Sequence, residues 1–512
     1  MNAKVREAIK RRKRQLKKRI DKTKMPSTPA IKTPNINIEL AERQQAIAAG
    51  GLAAILQMIN TIDLRKHINR AIPMFKLYMP YDEADHVFNI ALNLLAGGTC
   101  LDHLELRRTD EAYLNAVGAE RIPDPTTAGD FCRRFDTFKI MQLMQAINRA
   151  RQTVWKQQPP EFFERAIIEA DGTMVETSGQ RKQGIGMNYK KQWRYHPLAV
   201  TLANTQEVLY IANRSGNRPS HEDSALYFDM AIKQCRDAGF CEVLLRGDTD
   251  FALTENFDRW DDGKVKFVFG YDAKPNLVKM AESLENAAWK PLRRRLPEEP
   301  NTERRSRRPN FKEEIVEQNE YLNKRQRGEE IAEFDYRPLL CNRSYRMVVV
   351  RKQIDVTKGQ QLLFNDPVYF FYITNESRHT CSARQVVFHA NDRCGQENSI
   401  SQLHACGALA APLDNLTSNW AYMVIASLAW TLKCWSGLLI CPQGRKEEKA
   451  KQVELKHRIV RMEFQTFLQT IIQIPAQIIR TSRRLIYRLL SFRESVESLL
   501  TIHEHVSRPL RC

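Results

Sequence analysis

The sequence predicts an α/β protein whose sheet presents carboxylates at the ends of its strands. Three observations predict it. Between Ala166 and Asp272 short apolar runs alternate with amphipathic stretches, in the order strand, hairpin, helix, strand, helix, strand. Two of the runs stop at an aspartate, Asp171 and Asp248. The text before and after this block has helical period, apart from strand-like runs between Ala332 and Asn375.

The elements follow in chain order. Residues 1–38 are predicted to be a basic arm and linker: a helix or arm over 1–25, then PSTPAIKTPNINI, with prolines at 26, 29 and 34. Residues 39–160 are expected to form a helical region. GGLAAILQMINTIDLRKHINRAI and ADHVFNIALNLLAGG both repeat apolar residues at three and four positions. Within it, Thr126 and Thr127 are expected to cap a short helix that carries Arg133 and Arg134 and could enter a DNA groove.

Residues 161–272 are read as the first part of the catalytic core. AIIEADGT is its first strand, and RYHPLAVTLANTQEVLYIANR a hairpin turning near Asn204. HEDSALYFDMAIKQCRDAGF is a helix capped at Pro219-Ser220 and stopped at Gly239. CEVLLRGDTDF and KVKFVFGYD are further strands, flanking a short helix in LTENFDRWDDG.

Residues 273–380 are expected to be a β-rich insertion with a basic stretch between Arg293 and Arg308. Residues 381–444 return to the core with a Glu-bearing helix, and 445–512 form a basic helical C-terminal region. The apolar run from Asn419 to Ile440 is long enough to span a membrane, but Lys433 lies inside it and a core helix is expected. Arg480, Arg483, Arg484 and Arg488 are assigned to a closing pair of long helices.

The chain has 512 residues and a formal charge of +19, with 43% hydrophobic and 27% charged residues. That balance excludes a mainly disordered chain, a collagen-like fibre and a small disulfide scaffold. The charge is concentrated at the ends. Residues 1–25 carry twelve Lys/Arg and two acids, and residues 445–512 fourteen Lys/Arg and seven acids, which leaves +2 for everything between. Such ends point to a polyanion, nucleic acid before an anionic membrane surface. The eleven cysteines contain no CxxC pair, which points to buried thiols in a reducing compartment, and no apolar segment follows the basic N-terminus to make a secretory signal. A GxxxxGK[ST] loop, a GxGxxG turn after a strand, zinc spacing of His and Cys, and a GxSxG elbow are all missing.

The chemistry therefore rests on carboxylates. Asp171 and Asp248 close two strands, and Glu397 lies in a helix four residues after Arg393. Alone, each is commonly a turn-former. Supplied together by two adjacent strands and a packed helix, they could hold two Mg²⁺ ions for in-line phosphoryl displacement. Asp250 is a competing candidate, since on a strand it would share the face of Asp248.

The segments GMNYKKQWRYHPLAVTLANTQEVLYIANRSGNRPSHE, LLRGDTDF, KFVFGYD, YRMVVVRK, FFYITN and NDRCGQENSISQLH resemble the DDE transposases of bacterial insertion sequences, and more narrowly the group-one DDE-domain transposases. The resemblance runs from about residue 39 to about residue 505. It implies an RNase H-like core interrupted by a β-rich insertion between the second and third acids. It assigns the three catalytic and metal-binding acids to Asp171, Asp248 and Glu397. Arg393 and Glu397 match the Y-(2)-R-(3)-E-(6)-K signature of related transposases, with Ala390 and His404 in place of its tyrosine and lysine. Lys190, Lys191, Arg218 and Arg246, with Arg393, His404, Arg133 and Arg134, are the candidate DNA contacts. The implied activity is cut-and-paste transposition with Mg²⁺, or Mn²⁺ as a substitute. The implied partners are double-stranded DNA, both transposon ends and target, and a second copy of the chain. The implied location is the bacterial cytosol, associated with the nucleoid and not with a membrane. An inactive DNA-binding protein on the same scaffold, or a metal-dependent nuclease that cuts without joining, are the alternatives.

Overall fold

The computed structural model describes residues 3–21, 38, 45–76, 80–177, 179, 181–188, 190–293, 311–319, 322–358, 361–392, 394–481, 483–491 and 493–510. The basic N-terminal segment is a helix, α1 (Ala3–Asp21). It is not a free arm: Ile9 is 4% exposed, and Lys13 Nζ lies 2.8 Å from a carboxylate oxygen of Glu494 near the other end of the chain.

A two-residue strand β1 (Ala46–Ile47) precedes seven helices: α2 (Leu52–Thr61), α3 (Leu64–Ala71), α4 (Glu83–Leu95), α5 (Leu104–Arg108), α6 (Glu111–Val117), α7 (Pro125–Arg133) and α8 (Thr137–Trp155). The starts of α4, α6, α7 and α8 are set by aspartates. Asp82 and Asp85 form a reciprocal capping box on α4, Asp110 caps α6 and Asp136 caps α8. The cap of α7 is Asp124 rather than a threonine, because Pro125 has no N–H and fits the first helical position. Asp124 accepts from Thr127 N (2.9 Å) and Thr127 Oγ1 (2.8 Å).

The core follows: β2 (Arg165–Gly172), β3 (Val175–Glu176), β4 (Gly186–Met187), β5 (Trp193–Tyr195), β6 (Leu198–Leu202), β7 (Glu207–Ala212), α9 (Ser224–Asp237), β8 (Glu242–Gly247), α10 (Phe257–Asp262) and β9 (Val265–Tyr271). β6 and β7 make the expected antiparallel hairpin. The helix start is later than Pro219-Ser220 implied. Asp223, at φ 59°, precedes Ser224 and offers no side-chain cap. Its end is where the sequence put it, with Gly239 at φ 102°, a conformation that favours glycine. The strands lie in the order β7-β6-β2-β8-β9, with β8 parallel to both β2 and β9. This is the RNase H-like core.

After α11 (Pro275–Glu282), β10 (Lys290–Pro291) and α12 (Phe311–Gln318) come three long strands, β11 (Leu322–Tyr336), β12 (Tyr345–Lys358) and β13 (Gln361–Thr374). They are antiparallel to one another, and β13 pairs with β9 from Phe371↔Tyr271 to Thr374↔Val268. The inserted strands therefore prolong the core sheet into nine strands. Of the basic stretch, residues 294–310 lie outside the described residues.

Next come α13 (Ala383–Asn391), α14 (Cys394–Ala405) and α15 (Leu416–Leu438). α15 is buried nearly all round because α4, α8 and β7 pack against it. Lys433 within it is fully buried. Its ammonium donates to the Val460 carbonyl and lies 4.0 Å from the Trp430 ring centroid. Among the described residues no helix is long and apolar enough to cross a membrane.

α16 (Lys446–Arg461) and α17 (Phe464–Phe467) lead to a hairpin, β14 (Ala476–Arg480) and β15 (Leu485–Leu489), and then α18 (Ser495–Val506). Here the sequence reading is corrected. Arg480 and Arg488 lie on this hairpin, with Arg483 and Arg484 at its turn, and not on two long helices. The spacing of IIRTSRRLIYRLL suits a helix, but β14 has a distant partner: β1 pairs with it through Ala46↔Gln477 and Ile47↔Ala476.

Candidate active site

β2 and β8 run parallel in a register from Arg165↔Glu242 to Glu169↔Arg246, a constant offset of 77. Asp171 and Asp248 are also 77 apart, two residues beyond the last paired position, so they fall at the same end of two adjacent strands whose axes are roughly 4.8 Å apart. The local sequence gives each carboxylate its direction. Asp248 leaves β8 as the cap of a short 3₁₀ turn (Thr249–Phe251), and its Oδ1 accepts from Asp250 N at 3.0 Å. Asp250 is thus in that turn, not on the strand. It does not share a strand face with Asp248, because the chain bends at Asp248 itself.

Gly172 follows Asp171, and its environment is crowded. A Cβ there would lie 2.6 Å from His196 Nε2 and 3.3 Å from Arg214 Nη2. Both side chains are buried and held. His196 Nδ1 donates to the Arg218 carbonyl (2.8 Å), and Arg214 Nη1 donates to the carbonyls of Pro219, Ser220 and Glu222. Burial, with Arg214 nearby, lowers the His196 pKa, so the ring is neutral at pH 7.

Glu397 stands in the first turn of α14 and is exposed. The helix is moored by Gln396, which is fully buried. The Gln396 amide nitrogen donates to the Ala199 carbonyl at 3.2 Å, and its oxygen accepts from Thr201 Oγ1. Ala199 is the register partner of Asp171. At the far end His404 Nε2 lies 3.3 Å from Thr173 Oγ1, two residues beyond Asp171. α14 therefore lies across the end of β2, with Glu397 between the two anchor points. Desolvation lowers the His404 pKa, partly offset by its bond to the Leu409 backbone, so His404 is neutral at pH 7. Arg393 lies outside the described residues.

One further acid was missed by sequence reasoning. Asp272 follows β9, and with Asp248, Thr249, Phe370 and Asn391 it lines a cavity of about 340 Å³ between β8 and the inserted strand β13. Its signal was present: KFVFGYD is a third apolar run closed by an aspartate.

The carboxylates Asp171 and Asp248 offer the hard oxygen donors that a divalent ion such as Mg²⁺ requires, at the ends of adjacent parallel strands. Among the described residues no three His, Cys, Asp or Glu side chains are close enough to form a complete metal cage. Donor chemistry and placement at strand ends fit an ion, and Glu397, the third expected ligand, is on α14.

The candidate DNA contacts divide. Lys190 and Lys191 are exposed on the turn between β4 and β5, and Lys191 has a left-handed backbone (φ 58°). Arg218 is exposed and pairs with Glu222 at 3.0 Å. Arg133 pairs with Asp130 (2.9 Å) and Asp414 (3.0 Å), and Arg134 lies 5.3 Å above the Phe75 ring. Arg246 is different: it is 5% exposed, bonded to Glu169 at 2.6 Å, and donates to the His389 carbonyl at 3.0 Å. It faces α13 through the sheet and ties that helix down, so it is not a surface contact for phosphate.

The model of the family described as transposase DDE domain group 1 matches residues 32–508. The chain belongs to this DDE transposase family. Among solved structures it is similar to a piggyBac transposase synaptic complex with hairpin DNA, determined by cryo-electron microscopy. That similarity has 10% identity over 83% of this chain and 86% of the other, with a TM-score of 0.37, too low to add to the assignment. No curated protein is significantly similar to the chain.

Proposed function

We propose that the protein is a cut-and-paste DNA transposase that binds the terminal inverted repeats of an insertion sequence, cleaves at the ends and joins the 3′-hydroxyl to target DNA. The observation that carries this reading is the pair Asp171 and Asp248 at the ends of adjacent strands, with the Glu397 helix moored at Ala199, beside the first of them. Asp171, Asp248 and Glu397 would hold two Mg²⁺ ions, or Mn²⁺. When bound, such ions supply charge neutralisation at the scissile phosphate and acidify the attacking hydroxyl. The protein's own groups position the strand. Lys190, Lys191, Arg218 and Arg393 would hold phosphates beside the strand ends, and the α14 face would fix the approach of the phosphodiester.

The wider DNA path is supported by charge. The Lys13–Glu494 pair brings the basic helix α1 close to the segment that follows the arginine-bearing hairpin β14–β15. Pairing two DNA ends favours a homodimer in the complex, in the bacterial cytosol at the nucleoid.

Labelled DNA carrying the inverted repeats that flank the coding sequence tests this reading in one strand-transfer assay with Mg²⁺. Cut and joined products are expected. Asp171→Ala, Asp248→Ala and Glu397→Ala should each abolish both while leaving end binding within about twofold, because affinity comes from phosphate contacts elsewhere. Asp250→Ala should do less harm than Asp248→Ala. Binding without cutting by the native protein would identify an inactive scaffold, and cutting without joining a nuclease.

A further inference from the structure

Away from the strand ends, the N-terminal helices enclose an open cavity of about 550 Å³, within the roughly 300–1,000 Å³ usual for small-ligand sites. Its floor is a stack of rings. His86 lies 4.5 Å from Phe131 with 9° between the planes, and Phe75 is 5.4 Å from His86. His86 is 4% exposed, and among the described residues its Nδ1 has no hydrogen-bond partner. The half-buried Tyr81 and Phe75 form the walls, each with an exposed guanidinium above it: Arg121 at 5.9 Å from the Tyr81 centroid and Arg134 at 5.3 Å from that of Phe75.

The acids in the lining are already committed. Asp124 caps α7 through both oxygens and Asp130 pairs with Arg133. Arg108 pairs with Glu105, whereas Arg121 and Arg134 have no carboxylate partner among the described residues. The cavity thus combines π faces with two cations at its rim that have no carboxylate partner among the described residues.

Its place in the fold connects it to the basic hairpin β14–β15 and to the segment that follows Asp171. On one side Tyr487 of the basic hairpin donates to the Ala116 carbonyl of α6, just before the Gly118–Arg121 rim. On the other, α7 reaches through Arg133 to Asp414, whose carbonyl accepts from Gln183 on the segment that follows β2 and Asp171.

We propose that this cavity holds one unpaired nucleotide of a DNA strand, its base against Tyr81 and Phe75 and its flanking phosphates on Arg121 and Arg134. Duplex DNA cannot present a free base face to a recess of this kind, so the site selects a strand that is unpaired at that point. The ring faces accept any base, since every base has a π face. The proposal rests on DNA being the partner, and duplex binding measured in parallel tests that separately.

The experiment uses the full chain and fluorescence anisotropy with a labelled single strand of about 12 thymidines and a duplex of the same length. Tyr81→Ala and Arg121→Glu should each weaken single-strand binding about tenfold and leave duplex binding within about twofold. Tyr81→Phe should restore it, and thermal melting of each variant excludes loss of fold. Equal loss for strand and duplex, or no loss for either, would overturn the proposal. Equal competition by free thymidine monophosphate would also overturn it, since the cavity would then bind a mononucleotide and not a strand. Absence of duplex binding by the native protein would instead count against the DNA-partner reading, while the single-strand measurement still decides the cavity.

Discussion

Gly172 has no room for a side chain because His196 and Arg214 are held against it from behind by backbone carbonyls. Gly172→Ala should therefore push the end of β2, and Asp171 with it, out of register with Asp248. Cleavage should fall at least about tenfold with a stability loss of about 1–3 kcal/mol, measured by kcat and by denaturant unfolding. Unchanged kcat would mean that the position of Asp171 tolerates such a shift. His86 gives a pH-dependent prediction. Burial lowers its pKa to about 4, opposed by Asp85 and Asp82 and reinforced by Arg134, whereas in the unfolded chain it titrates near pH 6.5. The native state thus favours the neutral ring. Its contribution is fully present above about pH 6.5 and is lost as pH falls towards 4, a change of roughly 3 kcal/mol. His86→Phe, which keeps an aromatic ring against Phe131, should flatten that part of the stability–pH curve. At this scale the sequence located Asp171 and Asp248, because an apolar run that ends in an acid marks a strand end. It misplaced Arg246, because nothing local distinguishes a cation bonded to Glu169 beneath a helix from one facing solvent.

Among the elements, the hairpin β6–β7, helix α8 and helix α15 are joined through one carboxylate. Glu207 is fully buried and accepts from Arg151 Nε (3.0 Å), Trp155 Nε1 (2.8 Å), Trp435 Nε1 (2.7 Å) and Thr205 Oγ1 (2.6 Å). Glu207→Ala leaves the Arg151 charge buried and unpaired, so unfolding free energy should drop by about 3–5 kcal/mol. The double variant Glu207→Leu with Arg151→Met should recover part of that loss, as denaturant titration can measure. Additive losses would mean that the two charges act independently. The helices and the core strands were legible as elements, since their periods are local. The C-terminal hairpin was not. Its arginines repeat at helical spacing, and only its pairing with Ala46 and Ile47, more than four hundred residues earlier, makes it a strand pair. The third acid was legible as a helical residue, but its mooring through Gln396 was invisible, because that bond needs the Ala199 carbonyl from a distant strand.

On the scale of the whole molecule, the basic helix α1 reaches the C-terminal region, since Lys13 pairs with Glu494 and Ile9 is buried. Deleting residues 1–25 should weaken binding to specific and random DNA alike and flatten the slope of log affinity against log salt, each lost phosphate contact changing it by about 0.9. Loss of specific binding alone would mean that the helix reads sequence. Because Ile9 is buried, a small fall in melting temperature should accompany the deletion. The sequence by itself determined the class of fold, the order of the core strands along the chain, the charge at both ends and the identity of two acids at strand ends. Each of these is written in residue type and local period. Only the tertiary structure decided that the inserted strands prolong the core sheet, that Asp171 and Asp248 close adjacent parallel strands, that Asp272 lines the cleft beside Asp248, and that α1 pairs with Glu494. Each of those depends on hydrogen bonds or contacts between residues far apart in the chain, which no local pattern encodes.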